Sequence, residues 1–231
     1  MRDPKTTGTT LFALARDQAF FKTMFFAADR ASDLGRCKTE ELAWLPDEDG
    51  ILFNHTFGKT LRDGTANTFP ILINKNVTIC PVRGLQAYMT IAEALHIDLS
   101  KGYFFRPVNK SREVINEPFT YSAAQSRFRT YLAKTNDHDK STLHGLRTAS
   151  AITVAMGGAS QSALMEHVGW RSKATAQRYL QLRKVFHDKT PAAILQKQVE
   201  AETQESYHTR QTTDAATMYR NKNRRQYKSV F

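Results

Sequence analysis

The sequence predicts a mainly helical α+β fold with one small three-stranded antiparallel sheet. Three observations carry that prediction. Apolar residues recur at helical spacing through Leu11–Ala28 and through most of the second half;. From Ile51 to Cys80 the chain turns to short runs rich in β-branched and aromatic residues, parted by Gly, Asn and Lys;. Prolines and glycines, among them Pro81, Pro118, Gly157, Gly158 and Gly169, then separate the helical stretches;. A chain of 231 residues is ample for a core;.

In order, Thr9 or Thr10 caps a helix over Leu11–Ala28, and Ser32 starts a second helix, "DLGRCKTEELAWL", ended by Pro46 and the turn "DEDG";. "ILFNHTFGKT", "NTFPILI" and "NVTIC" read as the three strands;. Pro81 opens a helix to His96, "KGYFFRPVN" is an ordered loop or short strand, and Pro118 opens a helix to Lys134. After the polar turn "TNDHDK", helices are expected over Thr142–Met156, Ser160–His167 and Lys173–Leu182. Pro191 starts a further helix to Gln204, and residues 219–231, rich in Lys and Arg without an acid, read as a solvated tail;. The expected organisation is one domain over 1–182 and a C-terminal extension over 183–231.

Thirty-three Lys and Arg against 22 Asp and Glu leave a formal charge of +11, which points to an anionic partner, most commonly nucleic acid;. The two cysteines, Cys37 and Cys80, lie far apart, so neither a disulfide framework nor a zinc site is expected, and a reducing compartment fits;. The longest apolar stretch, Leu11–Ala28, is broken by Arg16, Asp17 and Lys22, so no membrane span is expected;.

The stretch "STLHGLRTASAITVAMGGASQSALMEHVGWRSKATAQRYLQ" sets His144 and Arg147 three apart on one helix face;. Trp170 follows Arg147 by 23 positions and precedes Tyr179 by nine. Upstream, "ADRASDLGRCKTEEL" carries Arg30, Ser32 and Asp33, and "TFGKTLRDG" sets Lys59 in a β-turn. Singly, each signal is weak: an isolated HxxR is usually a solvated surface, and a lone Trp or Tyr is usually packing. The ordered set resembles the catalytic domain of the tyrosine recombinase (phage integrase) family: an arginine in R-x-[ST]-[ED]-L, a hairpin lysine, His-x-x-Arg, then Gly-His or Gly-Trp nine residues before a tyrosine. The likeness covers about Thr10–Leu182. "ICPVRGLQAY" and "HVGW" are most similar to recombinases of eukaryotic mobile elements, the Crypton and DIRS-like groups.

The resemblance implies the tyrosine recombinase catalytic-domain fold and a metal-independent DNA strand transferase without a cofactor. A phosphodiester carries one negative charge and gains another in its pentavalent transition state. Arg30 and Arg147 would clamp the non-bridging oxygens by charge-assisted hydrogen bonds;. Tyr179 would be the nucleophile, forming a 3′-phosphotyrosine; a free tyrosine titrates near about 10, so it needs positive charge or a base nearby;. His144 is the candidate base or phosphate hydrogen-bond partner, and Lys59 the candidate acid for the departing 5′ hydroxyl;. Trp170 can donate one indole N–H but cannot shuttle a proton;. Asp33 is a support residue for an arginine or its helix, and His167 a structural residue at a helix end, although it competes with Trp170 for the family's second histidine position. Arg62 and Lys75 compete in the same way with Lys59.

Family members carry an N-terminal DNA-clamping domain of about 100 residues. The arginine motif here begins at residue 30, so that domain is expected to be missing from this sequence, with weaker and more salt-dependent DNA binding;. The helix over 191–204 resembles the family's exchange element, implying self-association to a dimer or a tetramer on DNA. Double-stranded DNA is the implied partner, with residence in the cytoplasm, or in the nucleus if the source is eukaryotic. A catalytically silent DNA-binding descendant and a type IB topoisomerase-like enzyme are the competing functions. Retention of both arginines and the tyrosine favours the enzyme.

Overall fold

In the computed structural model, residues 4–56, 58, 66–135, 141–186, 194–197 and 199–200 are described. The chain divides into two units, Met1–Leu180 and Gln181–Phe231. Helix α1 (Pro4–Phe26) leads into a single turn, α2 (Ala31–Leu34), then a 3-10 turn at Thr39–Glu41. Strands β1 (Leu42–Trp44), β2 (Gly50–His55) and β3 (Asn67–Leu72) form an antiparallel sheet in the order β1-β2-β3. Helices α3 (Pro81–Ala94), α4 (Tyr121–Leu132), α5 (Leu143–Met156), α6 (Gln161–Val168) and α7 (Lys173–Phe186) follow. The fold is therefore mainly helical with a three-stranded antiparallel sheet, as expected. No helix among the described residues is long and apolar enough to cross a membrane.

The large core forms where α1 and α3 face the sheet. Phe12, Ala19, Phe20 and Met24 of α1, at helical spacing, meet Leu85 and Tyr88 of α3 and Phe53 and Phe69 of the sheet;. Phe20 sits edge-on to Phe105 and Phe119, with ring centroids 5.2 and 5.1 Å apart. Phe53 and Phe69 are cross-strand partners whose rings stack at 5.4 Å;. Two of the polar residues that interrupt the apolar run of α1, Arg16 and Asp17, are structural. Buried Asp17 accepts from Arg16 Nε (3.0 Å), Arg127 Nε (2.5 Å) and Tyr131 Oη (2.8 Å), tying α1 to α4.

Two expected elements differ. The helix predicted from Ser32 to Leu45 stops after Leu34. At Gly35 the chain passes so close to Phe119 that a Cβ would lie 2.0 Å from its carbonyl oxygen, and the Phe119 N–H donates to Gly35 O at 2.9 Å. The chain then runs extended, and Leu42 and Trp44 pair with Phe53 and Ile51 of β2, so sheet pairing overrides the helical periodicity;. "NVTIC" is a turn rather than a strand. The Asn76 N–H donates to Asn74 Oδ1 (2.8 Å) and the Thr78 N–H to Asn76 Oδ1 (3.0 Å), local bonds that replace a ladder;. The third strand is thus β1. β2 ends at His55, short of the predicted strand; α1 starts earlier, at Pro4; and α4 starts after its cap Thr120 rather than at Pro118. The turn at 136–140 and the tail at 219–231 lie outside the described residues, as does most of the expected helix 191–204, which is helical at 194–197 and 199–200.

Candidate active site

A second, smaller cluster lies among α5, α6 and α7. Ala151, Ala155, Leu164, Val168 and Ala176 are buried there together with Ala28, from the turn after α1. Trp170 and Tyr179 pack against it with their rings 4.6 Å apart and tilted by 30°. Gly169 makes the bend possible: it caps α6 in the left-handed conformation (φ 67°, ψ 38°), which glycine adopts without a Cβ clash;. The Trp170 N–H then donates to Met165 O at 2.9 Å, turning the indole back toward α7.

Arg147 projects from the middle of α5 and is only 3% exposed. Its Nη1 donates to Ala28 O and its Nη2 to Val168 O at 2.7 Å. Both acceptors are main-chain carbonyls at ends of helical segments, and no carboxylate bonds this guanidinium among the described residues. Burial pushes its pKa down to about 10, and the positive charge of Arg30 pushes the same way, against Asp29, Asp33 and Tyr179. At neutral pH the group stays charged. Two cations held near each other, one of them desolvated, form a site that an anion would stabilise.

Arg30 is the N-cap of α2, in an extended conformation. Its main-chain N–H donates to Asp29 Oδ1 (2.7 Å), and its Nη1 donates to Asp33 Oδ2 (3.3 Å). Ser32 Oγ donates to the other Asp33 oxygen at 3.1 Å, so Asp33 orients the half-buried Arg30 side chain. Ala28, two residues earlier, sits at φ +50°, a costly conformation for a residue with a Cβ;.

His144 is exposed in the first turn of α5, one turn before Arg147. His167, in the last turn of α6, is half-buried, and its Nε2 is buried without a hydrogen-bond partner. Burial and then the Arg147 charge lower its pKa, so at neutral pH it is a neutral imidazole beside the arginine. Lys59 and Arg62 lie outside the described residues; Lys75 is exposed in the turn after β3. Among the described residues no three His, Cys, Asp or Glu side chains converge so as to hold a metal ion.

The structure thus gathers Arg30, Asp33, Arg147, His167, Trp170 and Tyr179. Sequence reasoning missed Asp29 and His55: His55 Nδ1 lies 3.1 Å from Asp29 Oδ2, a buried pair spanning 26 positions of chain. It also missed the two carbonyl acceptors of Arg147, which no residue identity announces.

Residues 12–185 match the model of the phage integrase family. Among curated protein sequences none matches the chain. A crystal structure of XerA recombinase is similar in fold, with a TM-score of 0.53 and 18% identity over 87% of this chain and 62% of that one. The XerH site-specific recombinase is similar in its pre-cleavage complex with its difH substrate (TM-score 0.51, 14% identity, 78% of this chain and 44% of that one). Its post-cleavage complex with a palindromic difH substrate gives a TM-score of 0.53 and 13% identity over 82% of this chain and 51% of that one. The chain therefore spans between 44% and 62% of the length of these proteins.

Proposed function

We propose that this chain, which belongs to the phage integrase family, cuts and rejoins DNA strands through a 3′-phosphotyrosine on Tyr179. One observation carries the proposal. Arg147 is buried, charged and, among the described residues, bonded to carbonyls alone, within electrostatic reach of both Arg30 and the Tyr179 hydroxyl. That is the environment a phosphodiester needs beside a phenol that must attack it.

In this reaction Tyr179 Oη forms a bond to phosphorus while the bond to the 5′ oxygen breaks. Arg30 and Arg147 take the non-bridging oxygens as charge accumulates on them. The exposed His144 receives the phenol proton, or hydrogen-bonds the phosphate while solvent water takes that proton, Lys59 protonates the leaving 5′ oxygen, and the Trp170 indole N–H donates to phosphate. A 5′ hydroxyl from another strand reverses the step, so no external energy source is needed. Arg30, Asp33, Arg147 and Tyr179 match the family's motif position by position, and Trp170 takes its tryptophan variant.

Double-stranded DNA is the partner, consistent with the formal charge of +11 and with the XerH complexes, which contain DNA substrates. The cellular role we favour is integration or excision of a mobile element of the Crypton or DIRS-like kind, on the strength of "ICPVRGLQAY" and "HVGW". Such an enzyme works where the DNA is, in the nucleus of a eukaryote or the cytoplasm of a prokaryote, and assembles on DNA through its C-terminal segment.

The test is covalent trapping on nicked duplexes, which lose the 5′ end needed for religation. Wild-type protein should retain labelled DNA after denaturation, and Tyr179→Phe should bind DNA equally well but retain none. An adduct with Tyr179→Phe, or DNA binding by wild type with no adduct, overturns the proposal; the second result points to a silent DNA-binding protein.

A further inference from the structure

We propose that the buried Asp29–His55 pair is a positioning device that ties the turn carrying Arg30 to the end of β2 and holds both arginines in register for strand cleavage. The inference rests on the strand-transfer reading given above. Three consecutive residues meet at this turn, each with a separate task. The carbonyl of Ala28 accepts from Arg147, the carboxylate of Asp29 bridges two partners, and the side chain of Arg30 pairs with Asp33. Asp29 Oδ1 accepts the Arg30 N–H at 2.7 Å, and Oδ2 faces His55 Nδ1 at 3.1 Å. The second contact is an ion pair rather than an aligned hydrogen bond, since Oδ2 has no hydrogen-bond donor in line.

His55 is an expensive residue to bury here. It is 3% exposed, and the rings of Phe53 and Phe69 lie 5.8 and 5.4 Å away, edge to face. Its Nε2 is buried without a hydrogen-bond partner. An apolar side chain would fill this space at lower cost, and a polar group kept in such a place needs a reason other than packing. The charged groups facing it are Asp29 and Asp33 from the turn and α2, and Glu41 from the 3-10 turn. Burial pushes the His55 pKa down, but Asp29, then Glu41 and Asp33, pull it up by more, so the imidazolium persists above its ordinary range.

The reason is the strained turn. Ala28 at φ +50° is held only if its surroundings over-determine it;. Arg147 grips the turn from one side, and the Asp29–His55 contact grips it from the sheet. Releasing the second grip leaves Arg147 free to draw the Ala28 carbonyl, and with it the Arg30 N-cap, out of line.

The test compares wild type, Asp29→Asn, His55→Phe and the double variant. Cleavage is followed in a single turnover on a nicked duplex at saturating DNA, with thermal unfolding and DNA affinity measured alongside. Phenylalanine suits the aromatic surroundings, so the double variant, free of both charges, should match or exceed wild-type stability. Its cleavage rate constant should nonetheless fall by about 10- to 100-fold, as for a misplaced catalytic group. Each single variant should be as slow as the double, with DNA affinity unchanged. The wild-type rate should decline as pH rises through the raised His55 pKa, and the His55→Phe profile should lack that decline. Wild-type rate constants with only a reduced yield of active protein would make the pair merely structural and overturn the proposal. Absence of any adduct from wild type would instead sink the strand-transfer reading. The pair is then judged by nuclear magnetic resonance: the Arg30 amide must shift with the His55 titration in wild type and lose that response in Asp29→Asn. An Arg30 amide indifferent to His55 overturns the inference on its own.

Discussion

The core between α1, the sheet and α3 is made of interlocking rings, whereas the cluster under α5, α6 and α7 is lined by alanines, Leu164 and Val168. In the first, Phe20 meets the rings of Phe21, Phe105 and Phe119 edge-on, and Arg16 and Arg127 close into a network around Asp17. The second has six buried residues among those described, and Arg147 ties its parts together by donating to Ala28 O and Val168 O. A region with little buried apolar surface opens at lower cost than one with much. The large core thus supplies stability, and the small cluster leaves a buried arginine that no carboxylate bonds among the described residues. The teaching is that the same residue fastens the small cluster and prepares it for an anion. Function and local stability should fail together there and separately in the large core.

The largest effect should come from Arg147→Ala. Cleavage should fall by at least about 100- to 1,000-fold, as when a preorganised donor to developing charge is removed. Two buried carbonyls lose their donor, at a cost of about 1–3 kcal/mol each, so urea unfolding should show a loss as well. A stable but inactive variant, or an unstable but active one, would break the proposed union of the two roles.

Asp17→Asn tests the contrast from the other side. It leaves Arg16, 3% exposed, with a buried charge and no carboxylate, and should cost about 3–5 kcal/mol in denaturant unfolding;. The folded fraction should cleave DNA at the wild-type rate constant. A slowed rate constant would mean that the two regions are coupled. A smaller change, Gly169→Ala, forces a Cβ into φ 67° and should destabilise by about 1–2 kcal/mol;. It should also misalign Trp170 against Tyr179, seen as altered tryptophan fluorescence.

The smallest effect is in pH dependence, where the two regions should have opposite signs. His167 has a lowered folded pKa, so it binds protons more weakly folded than unfolded. Its contribution is favourable above pH 6.5 and is lost as pH falls from there toward the folded value;. His55 has a raised folded pKa. Its contribution is complete below pH 6.5 and is lost as pH rises through the folded value;. Urea titrations across pH should show His167→Gln flattening the acid side and His55→Phe the alkaline side. The same side flattened by both would contradict the assignment.

Much of the site was legible because it is carried by local pattern. The left-handed cap at Gly169, and the nine-residue step from Trp170 to Tyr179, are fixed by one helix end and the next helix. Arg30 and Asp33 are neighbours on one turn. What escaped is non-local. β1 reads as helix until Leu42 and Trp44 find β2, and Asp29 meets His55 only after the sheet forms. The anchoring of Arg147 was hidden for another reason: its acceptors are main-chain carbonyls, which any side chain could have carried. His167 reads as a helix-end residue, and only the fold brings its unpaired Nε2 into the Arg147 field.

The central claim is that the small cluster presents Tyr179 as the nucleophile. The most direct measurement is mass-spectrometric mapping of the residue that carries nucleotide after trapping on a nicked duplex and nuclease digestion. The chain has eight tyrosines, so the assignment is discriminating. Nucleotide on Tyr179 alone is the predicted result. Nucleotide on any other residue would contradict the account.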